Sequence, residues 1–468
     1  MTKFLTLIFF QILLSNPFDG LTLITTIGGT QNTSNTMLID NEENMVNLWE
    51  HSNGTASVGY LTKDSILYLP GKISGNPGGG TDGPQSGLFK KIDWNNNIIW
   101  EWQMPEEICE AHHDIAILPN GNFLAICSEV RSQEEAINAG LQDIQGPFEL
   151  DMVVEIQPIG SSEADIVWEW RFWDHLVQNV GPQYSSTYGE LSNHPELLDI
   201  NVTGSGDQNG LSDWNHCNKI SYNHNFDQIV LSSRFMNEIY VIDHSTTTEE
   251  AAGHTGGNQG MGGDFLYRWG NPQNYERGDA SDQILDAQHG IHWIPEGYPG
   301  EGNFLVYNNR NQTNPNRSAI IEFECIADEN GHYPIYANEA YGPTDVIWEY
   351  QSNFFSNVQS GAYRLPNGNT IITVTSQENI FEVTQEGDVV WELTDNIRCA
   401  RALKYSYDYF NTSVIGDMND DDIINILDTV IIVQMVLGNQ DVNLNGDMNQ
   451  DGVLNIQDIV LLINLILS

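Results

Sequence analysis

One supersecondary unit returns six times along this chain, and a repeat of that kind restricts the possible folds more than composition does. The first half of the unit is a strand, an acidic or amide-rich turn and an aromatic strand, as in SGLFKKIDWNNNIIWEWQ (86–103), MVVEIQPIGSSEADIVWEWRF (152–172) and NIFEVTQEGDVVWELT (379–394). The second half is a strand, a tight turn and a strand, as in HHDIAILPNGNFLAICS (112–128), QHGIHWIPEGYPGEGNFLVYNN (288–309) and SGAYRLPNGNTIITVTS (360–376). Gly and Asn in these turns supply the positive φ that a tight reversal needs. Four short strands per unit, repeated six times between residues 22 and 408, predict an all-β six-bladed β-propeller. A β-sandwich array fits less well, because the period exceeds sandwich strand spacing and a W-x-W-like strand comes once per unit. Partial copies at both ends suit a ring closed by a shared blade. Insertions at 131–150, 175–212 and 246–282 then become loops on one face, where binding surfaces usually form.

Aligning the second halves puts His113, His216 and His289 at one structural position in three consecutive units, where the others carry Ala56, Ser360 and Ala400. Equivalent positions on innermost strands face one another around a propeller channel, so the three imidazoles are expected to converge. A single histidine at a strand entrance is usually a satisfied polar residue. Three in register, among 12 in the chain, are not explained that way. His112 and His292 lie beside the cluster as candidate partners. The returning strands end in LSSR, with Arg234, and in VYNN, with Asn308 and Asn309. Guanidinium binds tetrahedral oxyanions through a fixed fork of donors. Two chemistries suit such a set: neutral imidazoles holding a transition metal, or one imidazole as nucleophile while the others and arginine stabilise charge on a transferred group.

HHDIAILPNGN, DWNHCNKI followed by DQIVLSSR, and QHGIHWI followed by FLVYNN, with W-x-W strands between them, resemble the arylsulfotransferase family of secreted propellers over most of residues 22–408. The resemblance implies sulfuryl transfer from a phenolic sulfate ester to a phenolic acceptor through a sulfohistidine, with no nucleotide cofactor. No G-x-x-x-x-G-K-[ST] phosphate loop occurs in the chain. The resemblance makes His289 the nucleophile, with His113, His216 and Arg234 on the sulfuryl oxygens and leaving phenolate, and His112, Asn308 and Asn309 at the substrate. Gly290 follows His289 where many relatives carry an acidic residue, so an orienting hydrogen bond is either absent or supplied from elsewhere. The alternatives are a metal-dependent propeller acting on acidic polysaccharide, with the three histidines as ligands, and a binding propeller without catalysis.

Composition changes near Phe410. DMNDDDIINILD and DMNQDGVLNIQD start 30 residues apart and place oxygen-bearing side chains at loop positions 1, 3, 5, 9 and 12. These are Asp417, Asn419, Asp421, Asn425 and Asp428, then Asp447, Asn449, Asp451, Asn455 and Asp458. Hard calcium ions take six to eight oxygen ligands, which predicts a Ca2+ ion in each loop. Asp422 stands at the sixth position where the second loop has Gly452, so weaker binding is expected in the first. The loops and the apolar helices after them resemble dockerin modules, which implies a cohesin-like or cell-surface partner. The expected domains are therefore a propeller over 21–410 and a dockerin-like domain over 411–468.

Residues 1–20 read as a signal peptide, with Lys3 ahead of an apolar run from Phe4 to Leu14 that is too short to span a bilayer. Export is expected, to the extracellular space, cell surface or periplasm, and no later segment reads as transmembrane. The 64 acidic and 17 basic residues give a formal charge of -47, which would repel phosphate backbones and excludes nucleic acid as a partner. Five cysteines without C-x-x-C spacing exclude a zinc ribbon, and Cys109 and Cys127 flank one hairpin where they could pair.

Overall fold

Alternating apolar residues bounded by turn formers give short strands, which assemble into six four-stranded antiparallel sheets. The computed structural model describes residues 16–27, 34–73, 85–202, 213–410, 416–419, 424–440, 442–449 and 453–467. Most of the expected signal peptide lies outside these residues, as do the calcium-loop positions Asp421, Asp422, Asp451 and Gly452. The chain divides into a large unit that ends at Ser406 and a small one made of the residues from Tyr407 onward with Thr62–Ser65.

The large unit is a six-bladed propeller. From its innermost strand outward, blade 1 runs Cys399–Ser406, Gly20–Thr26, Ser34–Ile39, Met45–His51. Blade 2 runs Tyr60–Leu61, Leu67–Lys72, Gly87–Ile92, Ile98–Gln103, and blade 3 runs Glu110–Ile117, Phe123–Arg131, Phe148–Ile159, Glu163–Arg171. Blade 4 runs Cys217–Asn223, Gln228–Ser233, Glu238–Asp243, Tyr267–Trp269; blade 5 runs His289–Trp293, Phe304–Asn308, Ala319–Phe323, Trp348–Gln351. Blade 6 runs Gly361–Arg364, Thr370–Val374, Asn379–Val383, Val389–Glu392. The ring closes where the last strand of the propeller pairs with the first, with Leu403 opposite Leu23 and Lys404 opposite Thr22. The shared closing blade expected from the partial terminal copies is thus present.

The repeated tryptophans have a definite task. In each blade the outermost strand carries an indole that donates its N–H into the connection between the third and fourth strands of the next blade. Trp49 bonds Asp93 O, Trp100 bonds Glu163 O, Trp170 bonds Gly263 O, Trp269 bonds Pro343 O, Trp348 bonds Gln385 O, and Trp391 returns to Asn41 O, at 2.7 to 2.9 Å. A large ring buries apolar area while its one donor finds a carbonyl, which is why tryptophan suits this joint. Buried apolar clusters run from blade to blade, for example Trp168, Trp170 and Phe172 of blade 3 with Ile229, Leu231 and Tyr240 of blade 4.

The insertions do not all share one face. Antiparallel strands alternate direction, so 132–147, joining second and third strands, and 172–216, joining blade 3 to blade 4, leave from the end where the inner strands begin. Residues 244–266 join a third strand to a fourth and leave from the other end. The 172–216 insertion carries a small parallel sheet of Leu176–Gln178, Thr187–Tyr188 and Leu198–Asp199. Cys109 and Cys127 are disulfide-bonded, and Cys217, Cys325 and Cys399 are free.

In the small unit, helices Ile426–Val436 and Ile456–Leu467 pack around Met418, Ile432 and Leu462. The two loops are built alike. Asp428 accepts from the amides of Met418 (2.7 Å) and Asn425 (2.8 Å), and Asp458 accepts from those of Met448 (3.0 Å) and Asn455 (2.8 Å). Among the described residues no helix is long and apolar enough to cross a membrane.

Candidate active site

The inner strands of blades 3, 4 and 5 each break register at the histidine. Pairing skips between His112 and Ile115, between Cys217 and Lys219, and between His289 and His292. At each break a residue has left-handed backbone: His113 at φ 54, His216 at φ 48 and Gly290 at φ 73. A bulge of this kind re-aims a side chain at a strand end, and non-glycine residues hold it only where the surroundings demand it. Gly290 serves a second need, because a Cβ there would lie 3.1 Å from the Cα of Gly361 on blade 6. All three imidazoles are buried, and the rings of His113 and His216 meet edge to face with centroids 4.7 Å apart.

Hydrogen-bond partners fix the protonation of each ring. Asn309 spends both amide hydrogens on Ser356 O (2.9 Å) and Gln359 O (3.0 Å), so its Oδ1 faces His289 Nδ1 at 2.8 Å, and Ala287 O faces the same nitrogen at 3.0 Å. Nδ1 therefore carries the proton, and Nε2 is a bare lone pair that accepts the Gln359 amide at 3.1 Å. Asp213 Oδ2 sits 2.5 Å from His216 Nδ1, so Nδ1 carries a hydrogen directed at that carboxylate. Asp151 Oδ1 accepts from His112 Nε2 at 3.0 Å, so in neutral His112 the Nδ1 accepts from His113 Nδ1–H at 2.8 Å. His289, and His113 beside neutral His112, thus share one tautomer, with Nε2 unprotonated.

Burial holds the His289 imidazole well below its ordinary pKa, and the neighbouring Arg234 adds to the effect. Burial does the same for His113, reinforced by His216, His112 and His289. Both are neutral at physiological pH. Arg234 reaches the site from the loop after the second strand of blade 4, its amide bonded to His216 O (3.0 Å) and its Nη2 to Asn357 O (3.3 Å).

With this geometry established, the family model described as arylsulfotransferase matches residues 85–404. The chain belongs to the arylsulfotransferase family. The matched span contains the three histidines and Arg234, and the family implies sulfuryl transfer between a sulfate donor and an acceptor. No curated protein matches the chain. Solved structures that resemble it include a protein of unknown function from Bacteroides caccae (12% identity, TM-score 0.43, covering 82% of this chain and 98% of that one). Another is the periplasmic gluconolactonase PpgL of Pseudomonas aeruginosa (11%, TM-score 0.41, 81% and 97%), and a third is virginiamycin B lyase of Staphylococcus aureus (10%, TM-score 0.36, 86% and 88%).

In this member of the arylsulfotransferase family the remaining residues singled out by sequence divide by position. Asn309 holds the His289 ring and answers the question raised by Gly290, because the orienting bond comes from the returning strand. Asn308 faces the other way, its side chain fastening Asp286 N (2.8 Å) and Ile284 O (3.1 Å) in the loop ahead of His289. His112 stands behind His113 and against Asp151, and is not itself at the centre.

Sequence reasoning missed three residues. Asp213 sets the His216 tautomer, and its signal was present as an aspartate three residues ahead of a histidine in DWNH. Asp114 is buried and takes Tyr60 Oη (2.8 Å) and Lys219 Nζ (2.8 Å), with the Arg401 Nη2 paired to it at 2.9 Å, side chains from three other blades. Burial works to raise this carboxyl, but Arg401 and Lys219 outweigh it and keep it ionised. Arg401 is 2% exposed, acts electrostatically on His113 and His289, and its Nε has no hydrogen-bond partner among the described residues. Alignment drew attention to Ala400 and passed over its neighbour.

Proposed function

We propose that this chain moves a sulfuryl group from an aryl sulfate ester to a phenol through a sulfohistidine on His289. The observation that carries the reading is the Nε2 lone pair of His289, held unprotonated by Asn309 and burial beside Arg234. Nε2 attacks sulfur while the bond from sulfur to the aryl oxygen breaks, and its electron pair leaves with a phenolate. A phenol of pKa near ~10 makes that departure far easier than loss of an alkoxide. The acceptor phenol then attacks sulfur, the N–S bond breaks, its pair returns to Nε2, and the phenolic proton passes to His216 Nε2. Arg234 and Arg401 supply donors and positive charge to the sulfuryl oxygens, the type of pre-aimed electrostatics that contributes most to such catalysis, and His113 joins them only on taking a proton at Nε2. Displacing the Gln359 amide from Nε2 frees a further N–H for an oxygen of the bound group.

The test is nitrophenolate release from 4-nitrophenyl sulfate, with and without added phenol, in the parent and in His289→Ala. Phenol-dependent release and an intact-mass gain of one sulfuryl group on the parent, both lost in the variant, are expected. A folded parent that releases nothing with any of several phenols would sink the proposal and leave a binding propeller.

The tail is proposed to bind calcium through Asp417, Asn419, Asn425 and Asp428 and through Asp447, Asn449, Asn455 and Asp458, with Asp421 and Asp451 completing the sets. Its four described aspartates at positions 1 and 12 are buried, and residues 407–468 contain no Lys, Arg or His to offset them. An all-oxygen donor set fits a hard cation. Dockerin-like attachment to a cohesin-like or cell-surface partner, and export to the cell surface, extracellular space or periplasm, complete the reading.

A further inference from the structure

His175, His254 and Asp264 form a second polar cluster, apart from the central histidines. His175 follows the outermost strand of blade 3, whereas His254 and Asp264 belong to the insertion ahead of the outermost strand of blade 4. The two Nδ1 atoms face the same carboxylate oxygen, Asp264 Oδ1, at 2.8 Å and 2.7 Å. The three candidate ligand atoms all lie within 4.8 Å of one another, the one such group of His, Cys, Asp or Glu among the described residues.

The protonation of His175 gives the cluster its meaning. Its Nε2 faces Ala251 O at 2.8 Å, an acceptor only, so Nε2 bears a hydrogen. In a neutral ring Nδ1 is then a bare lone pair aimed at a carboxylate oxygen, a repulsion inside a site where His175 is 0% exposed. Either a second proton or a cation must lie between them. A backbone carbonyl that takes one ring N–H and so turns the other nitrogen outward is the usual support of a metal-binding histidine. The ring is also held in place: it stacks on Trp170 (centroids 5.4 Å apart, planes 5° apart), whose indole bonds Gly263 O at 2.7 Å. Gly263 allows this approach, since a Cβ there would lie 2.0 Å from Ala251 O and 2.6 Å from His175 Nε2. Asp174 adds a second carboxylate whose field reaches both imidazoles.

We propose that His175 Nδ1, His254 Nδ1 and Asp264 bind a divalent ion of the zinc class, clasping the insertion after blade 3 to the insertion in blade 4. Two imidazoles with one carboxylate are a zinc donor set rather than a calcium one. Tetrahedral zinc with bonds near ~2.0–2.1 Å sets its ligand atoms about 3.3 Å apart, so the present contacts open by roughly half an ångström. His254 has room for that movement, being half exposed on a loop that holds Gly253, Gly256, Gly257, Gly260 and Gly262. The site stands independently of sulfuryl transfer.

The experiment uses the full chain, stripped with chelator and reloaded with calcium, and titrates Zn2+ by calorimetry in the parent and in His254→Ala and Asp264→Asn. One zinc equivalent should bind the parent and raise its Tm, with affinity falling at least about 10-fold in His254→Ala, as losing even an outer partner of a metal ligand does. His254 is exposed, so that variant folds whatever happens to Asp264→Asn. Zinc held by the tail carboxylates would bind parent and His254→Ala alike. That outcome, or no zinc uptake by folded parent, overturns the proposal in favour of a proton-filled His–Asp–His cluster.

Discussion

Replacing Asp213 by Asn separates the two halves of the proposed reaction. The Asp213 carboxylate receives His216 Nδ1–H at 2.5 Å, with the two side chains 4% and 8% exposed, so little water screens the bond. A buried hydrogen bond to a charged partner is worth about 1.5–3 kcal/mol, which is about 10- to 150-fold in rate if that support is lost in the transition state. If the amide also reverses the tautomer, the loss approaches ~10⁴, as it does when an orienting aspartate is neutralised in a serine protease. Nitrophenolate leaves without help from a proton, so the first half-reaction needs His216 little. The acceptor phenol must lose its proton, so the second half needs it fully. Stopped-flow mixing of Asp213→Asn with 4-nitrophenyl sulfate should show a burst near one equivalent, then a steady state slowed by that factor and still dependent on added phenol. Equal slowing of burst and steady state would refute the assignment of His216 as the base, and an unchanged steady state would show that Asp213 does not matter to it.

Stability should fall in acid: burial holds His51 down to about 4 and His292 to about 3, and keeps His113 and His289 low as well. The unfolded chain binds protons below about pH 6.5 that the folded chain refuses, so these four together cost at most about 5 kcal/mol per pH unit there. His244 acts in the opposite window, because burial pulls it down but Asp227 and Glu155 carry it to about 9, giving stability present below about 6.5 and lost as pH rises through 9. Denaturant unfolding from pH 4 to 10 should therefore peak near neutrality; a flat acid side would contradict the neutral histidines. Gly361→Ala sets a Cβ 2.6 Å from Arg401 Cδ and should cost about 1–3 kcal/mol by overpacking, read as a lower Tm. Chelation of calcium should unfold the helices of the tail, seen as lost far-ultraviolet ellipticity, with the propeller's own transition unmoved. Helicity that survives in apo protein would argue against calcium loops.

Sequence periodicity exposed most of the fold because each blade repeats the same joint. A tryptophan placed to reach the next blade must recur once per unit, and its recurrence is visible without knowing where its N–H goes. Closure was legible from the same cause, since strand Cys399–Ser406 completes the pattern begun by Gly20–Thr26. The placement of insertions was not legible to the same degree, because the end from which a loop leaves depends on counting strands within a blade whose outermost member, Tyr267–Trp269, has only three residues. At the site the registered histidines stood out, but Asp114 and Arg401 did not. Each is the only residue of its type at its blade position, and their partnership spans 287 residues of chain that only the closed ring brings together.

That partnership also bears on which group the site transfers. The neutral imidazoles of His113 and His289 provide lone pairs but little positive charge, and a sulfate ester carries a negative charge that the chain's overall charge of -47 repels. Local cations must supply what the imidazoles do not. Arg234 stands beside His289 with one guanidinium nitrogen on Asn357 O, and Arg401 keeps an unspent buried Nε–H while Asp114 fixes its position. Replacing Arg401 by Leu would leave Asp114 with Lys219, Tyr60 and the Ile220 amide, and breaking a buried pair in this way costs about 3–5 kcal/mol. Lysine at 401 retains the charge and loses the fork. Arg401→Lys is therefore the informative variant: it should keep most of the stability yet lower kcat more than KM worsens, because the missing donors act on oxygens whose charge grows as sulfur is transferred. A pure KM effect would mean that Arg401 only collects the substrate, and full activity would confine it to structure.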